Sequence, residues 1–106
     1  MTSIRITPAA AEVVARVRAE RGGALTFTID GGCCEGTAPH LLEDAVLAPS
    51  ASPAGEVAGI PVFLQSAMQG PLADARLAID VREDAMSDSM SLETAYGLRF
   101  VLREDR

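Results

Sequence analysis

Both cysteines of the chain stand side by side in Gly31-Gly32-Cys33-Cys34-Glu35-Gly36. Neighbours on an extended backbone point to opposite faces, so only a bent, glycine-permitted conformation brings both sulfurs to one side. A converged pair can chelate a soft metal, close a strained vicinal disulfide, or present one nucleophilic thiolate. The plainer alternative buries one sulfur as a small hydrophobe while its neighbour faces a loop. Spacing does not choose between them, because adjacent cysteines match none of the usual zinc-ligand patterns.

Around the thiols, Glu35 follows directly and His40, the single histidine, comes six residues after Cys34. Cys33, Cys34 and His40 form a candidate ligand set for zinc, iron or copper, with Gly31, Gly32 and Gly36 as the permissive backbone that lies against a bound cofactor. A solvated surface histidine is the ordinary alternative for His40, and Glu35 suits water better than a metal. A cysteine nucleophile would need a nearby base and oxyanion donors; His40 and the amides of Gly31 and Gly32 are the candidates, with no further orienting residue in sight. A peroxide- or disulfide-handling pair is the other thiol chemistry, since adjacent sulfurs can close on each other. The glycines lack the Gly-Lys-Ser/Thr or G-x-G-x-x-G that phosphate binding requires. Asp80 and Glu93 read as solvated strand residues, and Arg99 and Arg103 as one solvated or interface-forming strand face.

These residues need elements to position them. Thr7-Pro8 predicts a helix start, and Ala10, Val13, Val14 and Val17 give an amphipathic helix from Ala9 to about Arg21, ended by Gly22-Gly23. Leu25, Phe27 and Ile29 alternate with polar residues in a strand that runs into the Gly31-Gly32 turn. A short strand is expected over Glu43 to Ala48, then an exposed loop over Pro49 to Gly55. Gly59 to Leu64 is an apolar strand whose Pro61 belongs near its start or on a sheet edge. Ser66 to Asp74 is a connection with room for one helical turn. Two alternating strands follow, around Leu77, Ile79 and Val81 and around Leu98, Phe100 and Leu102, separated by a polar, mobile stretch from Glu83 to Met90. The expected class is α+β, mainly β: one N-terminal helix followed by five or six short strands.

The totals bound the rest. A length of 106 residues predicts a single domain spanning 1–106, and 48% hydrophobic residues with only 4% aromatic predict a core of Val, Leu, Ile and Ala. Nine arginines, no lysine and fifteen acidic residues give a net charge of −6, which argues against nucleic acid and anionic membrane as partners. No apolar run approaches a bilayer span, and the opening Met1-Thr2-Ser3-Ile4-Arg5 has no charged leader before an apolar stretch. A cytoplasmic location is therefore expected, where thiols rest reduced unless bound or in turnover.

Gly31-Gly32-Cys33-Cys34-Glu35-Gly36-Thr37-Ala38-Pro39, Gly59-Ile60-Pro61-Val62-Phe63, Leu77-Ala78-Ile79-Asp80-Val81, Ser91-Leu92-Glu93 and Gly97-Leu98-Arg99-Phe100 resemble successive blocks of the small bacterial family called domain of unknown function 779. Members of that family are often encoded beside aldehyde or acetaldehyde dehydrogenases, so the resemblance implies an accessory role. It carries the family's thiol pair onto Cys33 and Cys34. The family commonly has Ser-Pro-Met-Cys after the turn, where this chain reads Ala38-Pro39-His40-Leu41; a third cysteine is lost and a histidine gained. The tryptophan often found before the Leu-x-Ile-Asp-Val block is replaced, near Leu72. A weaker resemblance, through Ile6-Thr7-Pro8-Ala9-Ala10 and the strand into Gly-Gly-Cys, is to the A-type iron–sulfur carriers, and it implies their HesB-like fold; their C-terminal Cys-Gly-Cys is absent here.

Together these readings predict an accessory protein for an aldehyde dehydrogenase, homodimeric through sheet edges, whose Cys33-Cys34 turn binds a thiophilic metal or iron–sulfur cluster or exchanges thiols. Enzymatic activity is not required by that reading. The competing expectations are a small thiol enzyme acting on peroxide, disulfide or an aldehyde adduct, and a purely structural dehydrogenase-binding module.

Overall fold

Thr7 opens the helix as its spacing with Pro8 predicts. In the computed structural model, which describes residues 3–32, 36–45, 47, 49–70, 74–83 and 92–104, helix α1 runs Pro8–Glu20, and the Thr7 hydroxyl accepts the Ala10 N–H at 3.3 Å. Ala10, Val13, Val14 and Val17 form its buried stripe. The helix is preceded by a strand that the sequence reading did not place, β1 (Ser3–Ile6), where Ile4 and Ile6 alternate with exposed Ser3 and Arg5.

The remaining strands are β2 (Leu25–Gly32), β3 (Gly36–Glu43), β4 (Ser52–Val57), β5 (Ile60–Leu64), β6 (Arg76–Glu83) and β7 (Leu98–Glu104). One helical turn, α2 (Ser66–Gln69), follows β5, and a 3₁₀ turn over Leu92–Tyr96 precedes β7. The class is therefore α+β and mainly β, as expected. The polar stretch between β6 and the 3₁₀ turn lies outside the described residues.

Two expectations about boundaries are corrected. The strand expected over Glu43 to Ala48 ends where it was to begin: β3 occupies Gly36–Glu43, and Asp44 leaves it with a φ of 51°. The reason is local. Pro39 and Leu41 are buried on the inward face of β3, and the Asp44 carboxylate accepts the Ala24 N–H at 3.1 Å, holding the reversal in place. The loop expected over Pro49 to Gly55 gives way at Ser52 to β4. β4 is the last strand of its sheet, so Pro53 is tolerated there.

The strands form two sheets, in the orders β1-β6-β7 and β3-β2-β5-β4. Both are mixed: β1 runs parallel to β6 and β2 parallel to β5, while the other neighbours are antiparallel. Pro61 is in an inner strand but near its start. The β2–β5 ladder begins only at Phe27 opposite Val62, so the missing N–H of Pro61 precedes it. Between β4 and β5 the chain reverses in two residues, Ala58 and Gly59, with φ of 50° and 76°. That pair of positive values defines the hairpin turn whose twist matches the flanking strands. Arg18 of α1 donates to the Ala58 carbonyl at 3.0 Å.

The inward residues of both sheets share one core with the α1 stripe. Phe27 and Phe100, each fully buried, meet edge to face across it at 5.2 Å between ring centroids. Ile29, Leu41, Ile60, Val62, Leu77 and Ile79 fill in around them, the aliphatic core that the composition implied. At one margin β4 lies against β1: a Cβ on Gly55 would come within 3.0 Å of Ile4 Cγ2, and Gly55 has a φ of 148° at the bulge between Pro53 and Gly55.

Candidate thiol site

The geometry around the cysteines is set by the β2–β3 hairpin. Its antiparallel register runs unbroken from Leu25 opposite Glu43 to Gly32 opposite Gly36. Cys33, Cys34 and Glu35 are the three residues joining that last pair, and they lie outside the described residues, as does the predicted convergence of the two sulfurs. The three glycines singled out from the sequence are all in the ladder: Gly31 pairs with Thr37, and Gly32 with Gly36.

The strands that deliver this connection are firmly held. β2 is paired on both sides, to β3 and to β5, and Phe27 and Ile29 anchor it in the core. The Gln65 N–H donates to the Ile29 carbonyl at 3.1 Å, extending the contact with β5 beyond its ladder. At the opposite end of the hairpin, Glu43 accepts the Gly23 N–H at 2.9 Å and meets Arg21 at 3.4 Å, while the Asp44 N–H donates to Ala24 at 2.8 Å. The chain leaving α1 is thereby tied to the base of β3.

His40 is placed opposite Thr28, half-buried, on the face of the sheet turned away from the core. The same register row continues through Thr28 to Phe63 and Pro53. His40 is four positions along β3 from Gly36. At about 3.3 Å per residue its Cα is roughly 13 Å along the strand from that of Gly36. Among the described residues no group of three or more His, Cys, Asp or Glu side chains is placed to hold a metal ion.

Of the two carboxylates that read as solvated strand residues, Asp80 is on a strand and partly exposed, whereas Glu93 is neither. Asp80 is half-buried on β6 and accepts from the Val81 N–H at 2.8 Å, the Thr7 hydroxyl at 2.9 Å and Arg103 Nε at 2.8 Å. Those three donors, the Val81 amide foremost, hold its pKa below the ordinary carboxylate value. Glu93 lies in the 3₁₀ turn, 1% exposed, and takes the Phe100 N–H at 2.8 Å. Sequence reasoning missed Glu93 as a structural group. Its signal was the tight spacing between a lone acid and the Gly97-Leu98-Arg99-Phe100 strand start.

The architecture is similar to that of solved iron–sulfur carriers. Escherichia coli SufA, described as involved in biosynthesis of iron–sulfur clusters, superposes with a TM-score of 0.59 at 15% identity, covering 96% of this chain and 85% of that one. IscA solved with its 2Fe-2S cluster gives 0.55 at 21% identity, over 95% of this chain and 84% of that one. A protein from Aquifex aeolicus gives 0.50 at 18% identity, over 99% and 94%. The fold is thus the HesB-like fold of the A-type carriers. In sequence, the chain belongs to the family described as Domain of unknown function (DUF779), whose model matches residues 13–105. No curated protein matches it in sequence. No helix among the described residues is long and apolar enough to cross a membrane.

Proposed function

We propose that the chain is an accessory protein that binds a thiophilic metal or an iron–sulfur cluster through Cys33 and Cys34, in support of an aldehyde dehydrogenase. The observation that carries this reading is the Gly32–Gly36 pair. It closes a well-anchored hairpin on a three-residue connection that contains both thiols, in a fold whose solved neighbours include a carrier with its cluster. The dehydrogenase rests on the family resemblance alone, and the reduced state of the thiols rests on the cytoplasmic setting expected from the sequence.

The donor count favours a pair of chains. One chain offers two thiolates, whereas a 2Fe-2S cluster takes four. A second copy supplies the other two, which agrees with a homodimer and leaves His40 outside the favoured ligand set. Thiol exchange is the version of the reading in which the same two sulfurs act without metal.

Metal content is the test. Protein purified anaerobically is expected to retain iron, zinc or copper, with one cluster or ion for every two chains, and Cys34→Ser is expected to remove it. His40→Ala is expected to leave the content unchanged. Metal-free protein whose thiols alkylate sluggishly and equally would overturn the proposal.

A further inference from the structure

The sheet β1-β6-β7 carries its charge on one face. Register and period-two alternation put Ile4, Ile6, Leu77, Ile79 and Phe100 toward the core, and Arg5, Arg76, Arg82, Arg99 and Arg103 on the face opposite. Five of the nine arginines of a chain with a net charge of −6 are therefore gathered on one side of three strands. Arg5, Ala78 and Arg103 form one row across the sheet, and Arg82 stands directly opposite Arg99. Arg99 is half-buried and the other four are exposed.

Asp80 is the single carboxylate that the register assigns to this face among the described strand residues, and Thr7 and Arg103 already engage it. The choice of residue is also informative. The planar guanidinium fork matches carboxylates in a bidentate way that a lysine ammonium does not.

We propose that this face is a docking surface for an acidic segment of a partner protein. Its extent, about 10 Å across the strands and roughly 20 Å along β6, suits a short peptide stretch or one face of a helix. Nucleic acid fits less well. The described strand positions on this face include no aromatic ring for base stacking. The surplus of positive charge among the described strand residues of the face carries the proposal, whatever contacts the individual guanidinium groups make. The proposal is independent of the thiols, and Cys33→Ser/Cys34→Ser is expected to leave docking intact.

The test is fluorescence anisotropy of the full chain with a labelled oligoglutamate peptide at about 20 mM and about 150 mM salt, where screening shortens to roughly 8 Å. Binding is expected at low salt, weakening as salt rises, and Arg76→Glu/Arg82→Glu should reduce it at least about tenfold. The off-face reversal Arg18→Glu/Arg21→Glu, with the same change in net charge, should cost less than about threefold. A thermal midpoint checks that each variant folds. If the first reversal does not fold, the neutral pair Arg5→Gln/Arg76→Gln is judged by the same comparison. No peptide binding at low salt, equal losses on and off the face, or tighter binding of an oligothymidylate of the same length would each overturn the proposal.

Discussion

Replacing Glu93 should cost more stability than replacing any exposed acid of the chain. Its carboxylate is 1% exposed and accepts the Phe100 N–H at 2.8 Å, beside the ring that meets Phe27 in the core. Glu93→Ala removes the acceptor without admitting water, so the amide loses its partner at a desolvation cost of about 1–3 kcal/mol. The space left by the side chain adds to this, for a total of about 2–4 kcal/mol. Glu93→Gln keeps a carbonyl oxygen of the same reach and should lose about 1 kcal/mol. At about 4 °C per kcal/mol for a domain of this size, the alanine variant should melt about 8–16 °C lower and the glutamine variant about 4 °C lower. Calorimetry measures both, and native-state exchange of the Phe100 amide locates the effect, since its protection should fall only in the alanine variant. Equal melting of the two variants, or unchanged protection at Phe100, would refute the role assigned to Glu93.

Asp80 should make stability fall with acid. Its pKa is lowered in the folded chain by the Val81 amide, Thr7 and Arg103, so its contribution is fully present above the unfolded value near pH 4 and is lost as pH drops through the folded value. The gap in urea midpoint between the parent and Asp80→Asn should be constant near pH 7 and shrink below about pH 4. Thr7→Ala loses both the helix cap and the bond to Asp80, and should cost about 1–2 kcal/mol by chemical denaturation. Ala58→Asn should stabilise by a few tenths to about 1 kcal/mol, because asparagine tolerates the positive φ that alanine resists; an unchanged melting temperature would count against the turn geometry. Gly55→Ala should destabilise by about 1–3 kcal/mol, from its φ and from the approach to Ile4.

Most of the fold could be read from short-range signals, and the failures have physical causes. Helix α1 was legible because its cap, its proline and its apolar spacing agree. Strands β2, β5, β6 and β7 were legible because inward aliphatics alternate with polar residues or form a compact apolar run. β1 was missed because four residues with two isoleucines carry little pattern, and what makes them a strand is a partner more than seventy positions away, Ile4 opposite Leu77. β3 and β4 were displaced because no strand was read through Pro39 and because Pro53 fell in a stretch read as a loop. Only the pairing explains them: Pro39 is packed in the core opposite Ile29, and Pro53 lies on an outer strand. The same limit applies to chemistry. That Gly31, Gly32 and Gly36 flank the thiols was plain in the sequence, whereas the pairing of His40 with Thr28 depends on strand register, which hydrophobic pattern alone does not measure.

That register has a consequence for how the thiols can work. A ladder intact to Gly32 and Gly36 leaves only three residues between paired strands, and β2 is fixed between β3 and β5. Moving residues from further along β3 to the Gly32–Gly36 end would require several ladder pairs to break, each with its share of buried contacts at Phe27, Ile29 and Leu41. Recruiting thiolates from a second chain breaks none. Under the proposed metal-binding reading, a site completed by association therefore costs the fold less than one completed by refolding within a single chain.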